Sequence, residues 1–406
     1  MDERWFLDRA DLAALVALLR RDHRVLAPQA RDGALVLDDL ASVADLPWGV
    51  HDEQSPGRYR LHPAEPDGAE PDGAVPDGAV PDEGRCFDQA VGPQGLKALT
   101  FAPHEVLWRS RRADDGSLTF AAAPLPAGSA PAPALAVLGA RACDLTALQQ
   151  LDQHFLYREH VEEAYARRRR GLFLVAVDCA RPAGTCFCAA TGDGPTARSG
   201  FDVALTELDA GFVVRALSEA GFALLDALPV RVATVAEQDA ATAQGRAAAD
   251  AQHRGLPPLA PGALLDRRDD ARWAAVADRC LSCGNCTAVC PTCFCHAQTD
   301  EPVADDPACV EHCREWDSCF GEAHSYVHGL LVRGPTRLRY RQWATHKLDT
   351  WFEQFGRSGC VGCGRCLTWC PAGIDLTAEV AALLGPVPPD RREPPGAGPE
   401  VARAVP

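Results

Sequence analysis

The chain has 406 residues, of which 47% are hydrophobic and 24% are charged, so it can form two globular domains and is not a disordered or fibrous protein. Its net charge of −16, with no long run of Lys or Arg, argues against a nucleic-acid partner. Its apolar runs are too short to cross a bilayer, and residues 1–21 carry acids before their apolar stretch, so we expect a cytoplasmic protein with neither a secretory signal nor a membrane span.

Residues 1–235 are predicted to form a mixed α/β domain. Residues 8–21 carry apolar side chains at helical spacing, which indicates a helix packed on the core through Leu12, Leu15, Val16 and Leu19. A buried strand, a helix and a second buried strand follow over 134–180, and 201–217 has the pattern of a hairpin. Cys143 and Cys179 follow the two buried strands, so parallel pairing would bring both thiols to one edge of the sheet.

Three segments are predicted to lie outside a packed core. A Pro-Asp-Gly repeat over 65–84 indicates a disordered surface insertion. Residues 236–262 are rich in Ala, Gln, Gly and Pro, which indicates a linker, and residues 386–406 form a Pro-rich tail. A second domain is therefore expected over 263–385.

The 18 cysteines carry most of the functional information, and thirteen of them lie between Cys280 and Cys370. A disulfide framework is not expected without an export signal. The spacing C-x2-C-x2-C-x3-C-P occurs twice in this region, and in such motifs three thiolates hold one [4Fe–4S] cluster while the fourth ligates the other cluster. The predicted ligand sets are Cys280, Cys283, Cys286 with Cys370, and Cys360, Cys363, Cys366 with Cys290. Structural zinc sites are the alternative, although zinc motifs usually consist of two separated C-x2-C pairs.

A third set of four thiols precedes these motifs and consists of Cys143, Cys179, Cys186 and Cys188. Two members follow strands and two lie in a loop that contains Gly and Pro, so a third cluster is predicted at the carboxyl edge of the sheet. The alternative is four reduced thiols that lie partly in the core.

A further group follows the first motif. Its candidate ligands are Cys293, Cys295 and Cys319, with Cys309 or Cys313 as possible additions. No complete ligand set follows from the sequence, and packing thiols beside a cluster are an equal alternative. Cys86 is expected to be a simple thiol, and the histidines His324, His328 and His346 are expected to be surface or core residues. Arg365, inside the second motif, is hypothesised to raise the reduction potential of its cluster.

The motifs resemble those of a family of dicluster iron–sulfur proteins that contains the beta subunits of sulfhydrogenases together with the iron–sulfur subunits of anaerobic sulfite reductases. The resemblance extends over most of the chain and rests on Val91-Gly-Pro-Gln, Gly139-Ala-Arg-Ala-Cys143-Asp-Leu, Thr185-Cys-Phe-Cys, CLSCGNCTAVCPTCFC, WDSCF, His346-Lys347 and CVGCGRC. The C-terminal part resembles helical two-cluster ferredoxins. The implied fold class is α+β, with the mixed α/β domain followed by a mostly α-helical, ferredoxin-like domain that holds two clusters.

The resemblance implies a non-catalytic, electron-transfer subunit of a cytoplasmic redox complex. Its partners would be a catalytic subunit, either a [NiFe] hydrogenase or a sirohaem sulfite reductase, together with a flavin-bearing, NAD(P)H-oxidising subunit. The lack of a nucleotide-binding Gly-rich motif agrees with a relay that needs partners at each end. Two alternatives remain open: a reductase that binds its own substrate at the N-terminal cysteine site, and a cluster-carrying assembly protein.

Overall fold

The computed structural model describes residues 3–63, 84–122 and 134–386. The strands are β1 (Trp5–Asp8), β2 (His23–Arg31), β3 (Ala34–Asp39), β4 (His51–Ser55), β5 (Arg58–His62), β6 (His104–Arg112), β7 (Leu118–Ala122), β8 (Ala134–Ala140), β9 (Leu172–Val177), β10 (Val203–Glu207), β11 (Gly211–Ala216), β12 (Arg231–Val232), β13 (His296–Val303), β14 (Asp306–Trp316), β15 (Tyr326–Val327) and β16 (Leu330–Leu331). The helices are α1 (Leu12–Asp22), α2 (Lys97–Thr100), α3 (Ala142–Phe155), α4 (Glu163–Arg170), α5 (Cys188–Thr191), α6 (Glu219–Asp226), α7 (Val235–Asp250), α8 (Arg272–Ala277), α9 (Asn285–Ala288), α10 (Thr336–Thr345), α11 (Trp351–Phe355), α12 (Arg365–Thr368) and α13 (Leu376–Leu384), with a π-helix (His346–Thr350) between α10 and α11. The Pro-Asp-Gly repeat, apart from Gly84, and residues 387–406 of the predicted tail lie outside the described residues.

The N-terminal part is built on an eight-stranded sheet in the order β12-β1-β11-β10-β9-β8-β2-β3. Strands β2, β8, β9 and β10 are parallel, and antiparallel strands complete both edges. Every residue of β9 is buried, because alternate side chains enter two cores on opposite faces of the sheet. The predicted strand–helix–strand unit and the predicted hairpin are both confirmed.

Helix α1 covers one face of this sheet and α3 covers the other. The predicted contact residues of α1, which are Leu12, Leu15, Val16 and Leu19, are all buried. Their 3,1,3 spacing places them on one helical face, so burial of this face accounts for the position of the helix.

A second sheet, in the order β13-β14-β6-β7, joins the two predicted domains. Strand β14 lies between the cysteine motifs and pairs with β6 of the N-terminal part. The segment between the motifs is therefore not wholly helical: residues 296–316 form a β-hairpin, in which β13 alternates strictly between exposed and half-buried positions. The remaining elements of this region are mainly helices, and the overall α+β class is confirmed.

The predicted linker begins with a helix. Helix α7 starts at a capping box, in which Thr234 accepts from the backbone N–H of Glu237 and the Glu237 side chain accepts from that of Thr234. Ala241 packs with Phe6 and Val213 at the sheet. The Ala-rich composition of 236–250 thus reflects helix formation. The division into two domains and its boundaries remain a proposal.

The C-terminal part packs its helices around an aromatic core that contains Trp273, Tyr340 and Trp343. Five of the eight motif cysteines pack in or against this core, so the folding of the helices and the placement of these thiols depend on each other. None of the helices within the described residues has both the length and the apolar character needed to cross a bilayer.

Candidate iron–sulfur centres

The two C-x2-C-x2-C-x3-C-P motifs fold into the same kind of loop. In each motif a glycine of positive φ precedes a four-residue helix: Gly284 (φ 78°) precedes α9 and Gly364 (φ 76°) precedes α12. Most other residues would be strained at this φ. The third cysteine of each motif lies in the short helix, and the fourth comes two residues after its end. Equal spacing in the sequence therefore produces equal loops.

The first group of thiols combines both motifs. Its members line one cavity and are Cys280, Cys283, Cys286 and Cys370. Burial raises the pKa of Cys280, and the nearby Cys370 and Cys283 add to that rise. Tyr340 Oη and Trp343 Nε1 belong to residues of the same cavity wall, and both atoms are buried without a hydrogen-bond partner in the described part of the chain. Such groups normally have a partner, so the cavity suits a guest with acceptor atoms, as the sulfides of a cluster are.

The second group is more deeply buried. Burial raises the pKa of Cys360 to about 12, and Cys363 and Cys290 add to that rise. Burial likewise raises the pKa of Cys366 well above its usual value, with further contributions from Cys360, Cys363 and Cys290. The four predicted ligands of the second set therefore lie together, and Cys290 reaches this group from the first motif.

A buried lysine accompanies the second group. Lys347 Nζ donates to the Cys290 sulfur over 3.3 Å and to Thr292 Oγ1 over 2.8 Å, and Lys347 is only 3% exposed. Burial alone would lower the pKa of Lys347, but nearby thiols, above all Cys290, raise it well above its usual value. A hydrogen bond from Cys293, together with the Lys347 charge, lowers the pKa of Cys290. These contacts favour the thiolate, which is the form that binds a metal.

The third candidate set also converges, and it borders the second motif. Cys143 lies in the first turn of α3 and Cys179 follows β9 by two residues, so the two lie after neighbouring parallel strands, as the sequence predicts. Burial raises the pKa of Cys188 to about 12, and Cys179 adds to that rise. Burial also raises the pKa of Cys186, with further contributions from Cys188 and Cys179. Cys143 and Cys188 pack in one buried group with Cys363 of the second motif.

Backbone contacts hold the second motif against the third set. Phe187 N donates to Gly362 O over 2.8 Å. A Cβ atom at Gly362 would lie 2.6 Å from backbone atoms of Phe187 and Cys188, so only glycine fits here. The position also has a φ of 64°, which is unfavourable for residues with a side chain.

A buried ion pair strengthens this contact. Arg365 is 1% exposed, and its guanidinium donates to the two carboxylate oxygens of Asp144 over 2.7 and 3.2 Å. It also donates to the carbonyl oxygens of Gly92 and Gln94 over 2.8 and 2.9 Å. The negative charge of the Asp144 carboxylate offsets the positive charge of Arg365 beside the second group of thiols. The hypothesis that Arg365 raises the reduction potential remains a prediction.

The remaining cysteines differ in whether they line a cavity. Cys293, Cys295 and Cys319 line a second cavity, whereas Cys309 and Cys313 lie on β14 outside that cavity wall. Cys86 is buried, and its thiol donates to Glu207 Oε1 over 3.4 Å.

The spacing of the sulfurs bears on the zinc alternative. Among the described residues, one group of three possible metal ligands has its ligand atoms within 4.8 Å of one another. It consists of His104, Glu301 and Cys313, which lie on three adjoining strands. No three cysteine sulfurs in the described ranges are clustered as tightly as that. Zinc–sulfur bonds of about 2.3 Å would hold tetrahedral thiolates about 3.8 Å apart. The cysteine sulfurs of the described residues therefore do not have the spacing of a preformed zinc site.

A family model described as a 4Fe-4S dicluster domain matches residues 279–374, which contain both motifs. The chain is also 34% identical over 245 residues to the sulfhydrogenase 2 subunit beta of Pyrococcus furiosus, an alignment that covers 59% of this chain and 71% of that protein. The chain belongs to the sulfhydrogenase beta-subunit family. No solved structure matches it.

Membership of the sulfhydrogenase beta-subunit family confirms the resemblance, and the dicluster match identifies the chain as an iron–sulfur electron-transfer subunit. Apart from Arg365, the residues around the thiols were not predicted as parts of the site. Lys347 occurs in one of the motifs that carry the resemblance, and Gly362 stands between two cysteines, but neither pattern reveals a contact with another part of the chain. Only the folded chain brings Lys347 to Cys290 and Gly362 to Phe187.

Proposed function

We propose that the chain relays electrons through at least three [4Fe–4S] clusters. The proposed ligand sets are Cys280, Cys283, Cys286 and Cys370 for the first, Cys360, Cys363, Cys366 and Cys290 for the second, and Cys143, Cys179, Cys186 and Cys188 for the third. Four thiols converge in each group, and each set suits one cubane. When bound, such a cluster accepts and releases one electron at a time.

The observation that carries this proposal is the contiguity of the three groups. Cys366, a proposed ligand of the second cluster, also lines the cavity of the first group. On the other side of the second motif, Cys363 packs against Cys143 and Cys188 of the third group. The second group is thus adjacent to both others, which supports one continuous route through the protein.

The exposure of the groups indicates where partners meet this route. Cys283 of the first group is exposed, and its neighbour Leu281 is 67% exposed, whereas Cys360 and Cys363 are each 8% exposed. We therefore place one partner at the first group. By analogy with the family, the partners in a cytoplasmic complex would be a catalytic subunit together with a flavin-bearing subunit that oxidises NAD(P)H. The relative's name, a sulfhydrogenase, favours a [NiFe] hydrogenase over a sirohaem sulfite reductase in the catalytic position.

The structure favours the relay over a reductase that binds substrate at the third group. That reductase would need an iron position without a protein ligand, but four thiols converge at this group. Gln252 Nε2 also lies 3.4 Å from the Cys188 sulfur and covers it. An assembly protein would release its clusters to an acceptor, so stable clusters that are reduced reversibly would exclude that function.

The test is the iron and acid-labile sulfide content of anaerobically purified protein, with EPR after reduction. The variant Cys186→Ser/Cys188→Ser is expected to contain about four irons fewer than wild type, because it lacks two ligands of the third cluster. The matched control is Cys86→Ser, whose thiol lies beside Glu207, and it should keep the full iron content. Equal iron content in wild type and the double variant would overturn the third cluster.

A further inference from the structure

A second cavity is lined by three thiols that belong to none of the three proposed ligand sets. These thiols are Cys293, Cys295 and Cys319, and the same cavity wall contains His346 and Lys347. Cys293 and Cys295 follow the first motif directly, and Cys319 follows β14. Elements from separate parts of the chain therefore bring three soft donors and one imidazole to one place.

The backbone departs from α-helical geometry at His346, which lines this cavity. Helix α10 ends at Thr345, and the chain continues as a π-helix from His346 to Thr350. A π-turn shifts the side chains that follow it and often occurs at functional sites. His346 begins this turn, and its ring lies 5.3 Å from that of Trp351. The local distortion thus occurs where the helix meets the cavity.

Two indole groups indicate what kind of guest the cavity would hold. Trp343 and Trp351 line it and are 5% and 2% exposed. Their Nε1 atoms are buried, and neither has a hydrogen-bond partner among residues 3–63, 84–122 and 134–386. An unpaired buried N–H costs about 1–3 kcal/mol. Trp343 also lines the first cavity and its single N–H can serve only one guest, so the Trp351 N–H is the donor that a guest with acceptor atoms would stabilise here. The sulfides of an iron–sulfur cluster are such acceptors, whereas a zinc ion provides none.

Charge in the surroundings favours the same guest. Lys347 Nζ and Lys97 Nζ are both buried. Burial lowers the pKa of Lys97, and the nearby thiols, above all Cys293, oppose that shift. Lys97 also lies 3.8 Å from the centroid of the Trp316 ring. Buried positive charges beside three thiols compensate the negative charge of a thiolate-bound cluster. The sulfurs are also not clustered as a single zinc ion would require.

We propose that Cys293, Cys295, Cys319 and His346 hold a further [4Fe–4S] cluster. The proposal rests on the iron–sulfur function proposed above and adds a centre to it. The imidazole that lines the cavity is that of His346, whereas His324 is hydrogen-bonded through Nδ1 to Asp317 Oδ2 and is not part of the cavity wall.

The centre would lie beside both motif clusters. Lys347, which lines this cavity, donates to the Cys290 sulfur of the second group over 3.3 Å. Trp343 lines both the first cavity and this one. A cluster here would give the route a branch next to the first and second clusters.

The experiment compares iron, sulfide and zinc in the full-length protein with those in the variant Cys295→Ser/Cys319→Ser. We expect about sixteen irons in wild type and about twelve in the variant, with no bound zinc in either. The matched control is Cys86→Ser/Cys309→Ser, which also replaces two buried cysteines and should keep all the iron. Equal iron content in wild type and the first variant, or one zinc per chain lost with the thiols, would overturn the proposal.

The fourth ligand is tested by pulsed EPR on reduced protein labelled with 15N-histidine. A 15N coupling to one cluster is expected in wild type and in His324→Gln, and it should be absent in His346→Cys, which keeps its iron. This measurement uses folded wild-type protein, so a lack of coupling there would overturn the assignment of His346. Loss of about four irons in Cys186→Ser/Cys188→Ser tests the three-cluster relay separately.

Discussion

The two cysteine motifs have the same spacing and the same loop, but they lie in different surroundings. Cys283 of the first motif is exposed, whereas its counterpart Cys363 is buried. Asn285 in the first motif is exposed, and its counterpart Arg365 is buried in an ion pair. Ligand spacing can therefore be repeated while the environment changes. Since burial and hydrogen bonding to sulfur set the reduction potential, the two proposed clusters should differ in potential and in access to partners.

The largest expected effect of this difference is at Arg365. Arg365→Met would leave the Asp144 carboxylate buried without its partner, and we expect the free energy of unfolding to fall by about 3–5 kcal/mol. The measurement is urea unfolding of anaerobic protein. Asn285→Met is the matched change in the exposed motif and should alter stability by less than about 0.5 kcal/mol.

Addition of Asp144→Asn to Arg365→Met should restore part of the stability, because the unpaired charge is removed. If Arg365→Met and Asn285→Met had equal effects, the burial of the second motif would not be a source of stability. The comparison between the motifs would then fail.

The next effect is steric and concerns the residue immediately before the second cysteine of each motif. Gly362→Ala places a Cβ atom against the backbone of Phe187 and Cys188, and it also introduces a side chain at positive φ. We expect a loss of about 3 kcal/mol in unfolding free energy. Ser282 occupies the corresponding position at a φ of 51° and already carries a side chain, so Ser282→Ala is a close control. Similar unfolding midpoints for the two variants would contradict the close approach.

A smaller effect is expected on reduction potential. Lys347 donates to the Cys290 sulfur, so Lys347→Met removes a positive charge and a hydrogen bond from the second cluster. We expect the potential of that cluster to fall by about 60 mV, as for the loss of a charged hydrogen bond of about 1.5 kcal/mol, in an EPR-monitored redox titration. The first cluster should change less. A shift of the first cluster alone would reverse the ligand assignment of Cys290.

The smallest effect is kinetic. Because Cys283 is exposed and Cys360 and Cys363 are buried, limited treatment with ferricyanide should remove the first cluster before the second. EPR spectra of samples quenched at successive times would show the order of loss. Loss of the second cluster first would mean that exposure in the folded chain does not control access to the clusters.

The sequence predicted several features from local patterns. The buried run LFLVAV indicated strand β9, and helical spacing indicated the four buried residues of α1. The strand ends predicted that Cys143 and Cys179 would lie close to each other. The hairpin between the motifs was missed, because the expectation came from a resemblance to helical ferredoxins. Its alternating pattern in β13 is weak without the partner strand β6, which lies far away in the sequence.

The sequence by itself determined the two cysteine motifs and the shape of their loops, because cysteine spacing and glycine turns are local properties of a short segment. Tertiary structure decided everything that depends on distant contacts. It placed Arg365 on Asp144 and Lys347 on Cys290, and it brought His346 to the cavity of Cys293, Cys295 and Cys319. Packing between separate segments determines burial and charge around a thiol, and no spacing rule within one segment contains that information.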